Sequence, residues 1–167
     1  MRPGSPGWWA TKVRQTKRHL LARVSEDERR AIAGLLTPAQ LTVFDSMHVA
    51  DRRHGLDVVR TLRADGVADR EVLLAGLLHD AGKGATGVGP RVAFSLGGMY
   101  GAWIWRVAGT ITGWREALGR LRDHAETSAR LAAEAGCPAR TVELIRHQDA
   151  PLDPVAGRAL QLADEAN

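Results

Sequence analysis

Residues 73–84, LLAGLLHDAGKG, constrain this chain more than any other stretch. Leu73, Leu74, Leu77 and Leu78 make a leucine-rich helix suited to an interior, and it runs directly into His79, Asp80 and Lys83. Charged groups carried into an apolar interior need partners, and a bound cation can satisfy several at once. The rest of the sequence then has to supply the other ligands.

Length and composition limit the fold. A chain of 167 residues that is 44% hydrophobic can build one well-buried core and is short for two. Aromatic residues are only 5%, β-branched runs are scarce, and Ala, Leu, Arg and Glu favour helix. Helix boundaries are marked by polar caps and breakers. Ser25 with Glu28 and Thr37-Pro38 with Gln40 are capping boxes; Asp69 caps the leucine helix, and Gly66 and Gly136 close helices. No segment alternates as a strand does, so the expected class is all-α in a single bundle. Val13, Leu20, Leu21 and Val24, set among Lys12, Arg14, Lys17, Arg18 and Arg23, predict an extra, basic amphipathic N-terminal helix.

The single Cys137 excludes an internal disulfide and any thiolate-rich zinc site. The opening MRPGSPGWWA has Pro and Gly where a secretory leader would be apolar, so a cytoplasmic setting is expected. A net charge of +4 permits an anionic partner without choosing one, and no specific nucleic-acid partner is expected. The uncharged run 92–105, VAFSLGGMYGAWIW, is bounded by Arg91 and Arg106 and falls short of the roughly 20 residues that span a bilayer. It is expected to be a core or lid helix in preference to a membrane-surface contact.

Helical phase sorts the histidines. His54 shares a stripe with Val58 and Leu62, His124 with Leu121, Ser128 and Leu131, and His147 follows Leu144 by three. Asp164 follows Leu160 by four, and His79 and Asp80 end the leucine helix. Residues three and four apart share a helix face, so these six side chains can all turn inward. One such histidine alone is more often a core residue. Four histidines and two aspartates on five helices instead predict an imidazole and carboxylate cage suited to iron, manganese, nickel, zinc or magnesium. His19 and His48 do not fit this pattern.

These residues, in the segments HGLDVVRTL, LLHDAGK, RDHAETSA, ELIRHQ and LQLADEAN, resemble the HD-domain phosphohydrolase superfamily over roughly residues 40–167. The resemblance implies an HD-type helical bundle at 37–167, preceded by an N-terminal tail and basic helix at 1–36. It implies a first divalent metal on His54, His79, Asp80 and Asp164. A second, as in the binuclear branch, would lie on His124 and His147, with Asp80 bridging. Lys83 matches the lysine that faces substrate phosphate. The expected activity is hydrolysis of a nucleotide-like phosphate ester or anhydride by a metal-bridging hydroxide, with Asp80 and Lys83 as the catalytic residues. Arg53 and Arg146 are candidates for phosphate binding, and Asp57, Asp123 or Glu126 for orienting a ligand histidine.

Two features depart from the family. The apolar run separates Asp80 from His124, and QDAPLDP follows His147 where cyclic-di-GMP phosphodiesterases carry a further histidine and a Gly-Tyr-Pro turn. The Gly-rich turn GKGATGVG lacks P-loop order, and neither Cys137, Ser95 nor Ser128 has an evident base. The competing reading is a non-catalytic nucleotide-sensing or scaffold module, membrane-peripheral or not; the oligomeric state is left open.

Overall fold

The polar residues that mark helix starts in the sequence do so in the computed structural model, which describes residues 21–167. Most of the expected basic N-terminal helix, together with His19, Trp8 and Trp9, lies outside the described residues. At α1 (Glu26–Ala33), Ser25 Oγ accepts the Glu28 amide while the Glu28 carboxylate accepts that of Ser25. Thr37 and Gln40 do the same for α2 (Pro38–Ser46). The His48 ring nitrogen caps α3 (Val49–Ala64), and Asp69 caps α4 (Arg70–Leu78). A 3-10 turn, Ala81–Lys83, follows. Then come α5 (Val88–Tyr100), α6 (Trp103–Ala108), α7 (Trp114–Arg122), α8 (His124–Glu134), α9 (Ala139–Arg146) and α10 (Ala156–Ala166). The fold is all-α, with no strand among the described residues.

The leucine helix α4 is the axis of the core. Val72 through Leu78 are all buried, and α3, α9 and α10 pack around them. Each fully buried Leu contributes about 1.5–3 kcal/mol relative to exposure, which offsets the cost of bringing the polar end of α4 inside. Gly55 lets α3 close on that end: a Cβ there would stand 2.8 Å from the Leu77 carbonyl oxygen. That contact sets His54, one residue earlier, against the last turn of α4.

Two stretches are each divided into two helices, the second being the run expected as a single core or lid helix. The stretch from Trp114 to Gly136 is two helices, broken at Asp123 (φ −101°, ψ 12°). There the His124 ring Nδ1–H donates to the Leu121 carbonyl at 2.8 Å, so a side chain satisfies backbone at the break. The apolar run at 92–105 is also two helices, joined at a corner where Gly101 has φ 113°. It is only partly interior: Ala93, Phe94, Trp105 and Ala108 join Trp114 and Leu118 in a small separate cluster, while other residues of the run face outward. No helix among the described residues is long and apolar enough to cross a membrane.

Candidate metal centre

Four of the expected ligands converge at the end of α4. His54 comes from α3, His79 from the C-cap of α4, Asp80 from the residue before the 3-10 turn, and Asp164 from α10. One ligand atom each from His54, His79 and Asp164 lie within 4.8 Å of one another. His54 Nε2 is 2.6 Å from Asp164 Oδ1, and His79 Nε2 is 3.4 Å from both Asp164 Oδ1 and Asp80 Oδ1. Ligands held about 2.0–2.2 Å from one ion stand about 3 Å apart, so the spacing suits a shared cation.

Orientation of the imidazoles supports the fit. His79 Nδ1 lies 3.0 Å from the Gly76 carbonyl, which fixes that nitrogen as the donor and turns Nε2 toward the carboxylates. His124 is set in the same way by Leu121. Backbone carbonyls therefore do the orienting expected of Asp57, Asp123 or Glu126. Those three carboxylates are bound by Arg53 and Arg60, by Arg122, and by Arg146 respectively.

Two buried atoms at the centre, His79 Nε2 and Asp80 Oδ1, have no hydrogen-bond partner. Burying such groups unsatisfied is costly, and together they form a donor set to which a divalent cation is complementary. Burial opposes charge on all three groups, but the neighbours outweigh it. Asp80 and Asp164 hold the His79 imidazole up to about 9, while His79 and Lys83 hold Asp80 well below the usual carboxylate range. The hydrogen bond from His54 and the nearby His79 imidazole do the same for Asp164. A proton and a metal ion thus compete for the same Nε2.

The second half of the expected cage is arranged differently. His124 Nε2 is 3.7 Å from Asp80 Oδ1, and burial with the nearby Lys83 charge pushes its pKa down. The Gln148 amide is also 3.3 Å from that Nε2 and donates to the His79 carbonyl at 3.3 Å. Gln148 is buried and was not singled out from the sequence; its adjacency to His147 was the available signal. His147 itself caps α9, with Nε2 3.4 Å from Glu143 Oε2 and its side chain a third exposed.

Lys83 Nζ reaches Asp80 Oδ2 at 2.6 Å, so the lysine lies at the centre and not out on an exposed turn. Arg53 is engaged by Glu28 at 2.5 Å and Asp57 at 2.8 Å, and ties α1 to α3. Arg146 pairs with Glu126 and Glu143. The arginines that frame the Lys83 loop are others. Arg91 forms a bidentate pair with the buried Asp51 at 2.8 and 2.7 Å and donates to the Thr86 carbonyl. Arg120 donates to Thr86 Oγ1 at 3.4 Å, and Thr86 Oγ1 in turn donates to the Lys83 carbonyl at 2.7 Å. Neither arginine has a sequence motif to announce it, because each meets the loop only through tertiary packing.

The turn that carries Lys83 thus stands beside His79, Asp80 and the His54 and Asp164 side chains grouped with them. Comparison of the chain with protein-family models, with curated proteins and with solved structures gives no match.

Proposed function

We propose that this protein is a metal-dependent phosphohydrolase acting on a nucleotide-like phosphate ester or anhydride. The observation that carries the reading is the pair of buried atoms without a hydrogen bond, His79 Nε2 and Asp80 Oδ1, 3.4 Å apart, with His79 grouped with His54 and Asp164. His54, His79, Asp80 and Asp164 would hold a divalent ion, and Asp80 with His124 faces a second position. Bound there, such ions supply Lewis acidity and a nucleophilic water at neutral pH. Lys83 binds a non-bridging phosphoryl oxygen as a point charge, and Asp80 Oδ2 fixes its ammonium for that task. Thr86 and Arg120 hold the loop that carries Lys83, so the phosphoryl group meets a preset cation; phosphoryl transfer depends mainly on such positioning.

A second reading, a nucleotide-binding module without turnover, draws on Gln148, whose amide lies against the His124 nitrogen that a second ion would need. One experiment separates the two. Purified protein is analysed for metal and assayed with manganese, iron, nickel or magnesium against a dinucleoside polyphosphate, cyclic dinucleotides, dNTPs, nucleoside monophosphates and a bis-aryl phosphate. Hydrolysis that disappears together with bound metal in Asp80→Ala supports the enzyme. Metal and nucleotide bound without turnover supports the module, and no metal binding at all overturns both.

A further inference from the structure

The α5–α6 hairpin presents an outward apolar face for which the core has no use. Trp105 turns inward: its indole N–H donates to the Phe94 carbonyl at 3.0 Å, its ring stacks on Phe94, and Gly97 leaves room for it. With the hairpin anchored this way, Trp103 and Val107 stand one turn apart on the opposite side of α6, 55% and 60% exposed. Tyr100 at 51% and Val92 at 44% lie two turns apart on α5, and Ile111 at 47% continues the spacing beyond Val107. The Trp103 indole N–H is tied to the Tyr100 carbonyl at 3.1 Å, which holds the exposed ring in place.

Charge identifies what this face suits. Residues 81–115 contain no Asp or Glu, although 19 stand elsewhere in the chain. They carry Lys83, Arg91, Arg106 and Arg115. Arg91 is turned inward to Asp51, whereas Arg106 and Arg115 are exposed and form no ion pair among the described residues. A face of Trp, Tyr and aliphatic side chains on a carboxylate-free segment, with exposed Arg106 on the same helix and Arg115 shortly after it in the chain, complements the interfacial zone of a bilayer with anionic headgroups.

We infer that the outer face of α5–α6 docks the protein on an anionic bilayer surface, with Trp103 and Val107 entering the interface and Arg106 and Arg115 meeting headgroup phosphates. The bilayer is contacted without being spanned. The bidentate Arg91–Asp51 pair fastens the docked hairpin to α3, three residues before His54. The test of this surface does not depend on activity.

The 167-residue chain is floated with vesicles of equal parts phosphatidylglycerol and phosphatidylcholine, and with phosphatidylcholine alone. The expected result is flotation with the anionic vesicles only, weakened by salt. Trp103→Ser with Val107→Ser lowers the bound fraction about tenfold, and Arg106→Glu with Arg115→Glu about as much, each with an unchanged thermal melt. Trp8→Ser with Trp9→Ser keeps binding. No flotation of the unaltered protein overturns the inference, as does flotation that survives the Trp103 pair but not the Trp8 pair. A concentration-dependent dimer broken by Trp103→Ser also overturns it, because the face would then be a protein interface.

Discussion

Gly82→Ala offers a direct test of how the site is assembled. Gly82 sits in the 3-10 turn right after Asp80, and its amide donates to the Oγ of the buried Ser128 at 2.8 Å. A Cβ at this position would overlap the His124 carbonyl oxygen and stand 2.8 Å from both the Ser128 amide nitrogen and Thr127 Cβ. Its φ is not in the left-handed region, so the penalty is steric. Two of these neighbours are backbone atoms, so no rotamer change relieves the clash and the first turn of α8 must move. Overpacking of this kind costs about 1–3 kcal/mol, and the rigid partners place it near 3. Reduced freedom of the unfolded chain returns about 0.4–1 kcal/mol, for a net loss of about 2 kcal/mol. Urea unfolding should show a lower midpoint at unchanged slope, and the Tm should fall by about 6 °C. Gly34→Ala is the control: it has open space around it and φ −69°, so it should be neutral or stabilising by up to about 1 kcal/mol. If Gly82→Ala lies within about 0.5 kcal/mol of the unaltered protein, the close approach of the turn to α8 is not what positions His124 beside Asp80.

Three further perturbations probe other parts of the structure. Asp51→Asn leaves Arg91 without its carboxylate in a largely buried setting and should cost about 3 kcal/mol by denaturation, whereas Asp51→Leu with Arg91→Met should recover part of that loss; equal stability of all three proteins would refute a structural role for the pair. Glu28 is held down to about 2, first by its hydrogen bond from Arg53, so its contribution is complete above the unfolded value of 4.5 and fades as pH falls from there toward 2. With a third of the side chain exposed, screening reduces that contribution to about 1 kcal/mol, and Glu28→Gln should match the unaltered protein at pH 2 while trailing it at pH 7; a constant gap would contradict the linkage. Manganese titration by calorimetry should resolve a tighter and a weaker class of sites, with Gln148→Ala strengthening the weaker one alone; no change in that class would show that the Gln148 amide does not compete for His124.

Much of this arrangement is legible in the sequence, for local reasons. Caps, breakers and helical period act over three or four residues. Ser25 with Glu28, Thr37 with Gln40, Asp69, and the inward phase of His54, His79 and Asp164 can therefore be read without knowing any neighbour. Periodicity gives a direction and no distance. It placed His124 and His147 on inward stripes alike, yet a buried glutamine lies against His124 Nε2, while His147 pairs at the rim with Glu143. Likewise, an uncharged run signals an apolar environment but not which side of each helix finds it. The corner at Gly101 and the inward anchoring of Trp105 decided that Trp103 faces out.

The sequence by itself determined that the chain is helical, that helices begin after Ser25, Thr37 and Asp69, and that a set of imidazoles and carboxylates shares inward helical phase. Tertiary structure alone decided which of those groups meet, because contact between α3, α4 and α10 depends on close approaches such as the one at Gly55. It also decided that Arg91 and Arg120 frame the Lys83 loop, that Arg53 pairs with Glu28 and Asp57, and that Arg146 pairs with Glu126 and Glu143. Side-chain type fixes what an arginine can bind; only packing fixes which carboxylate or carbonyl it reaches first.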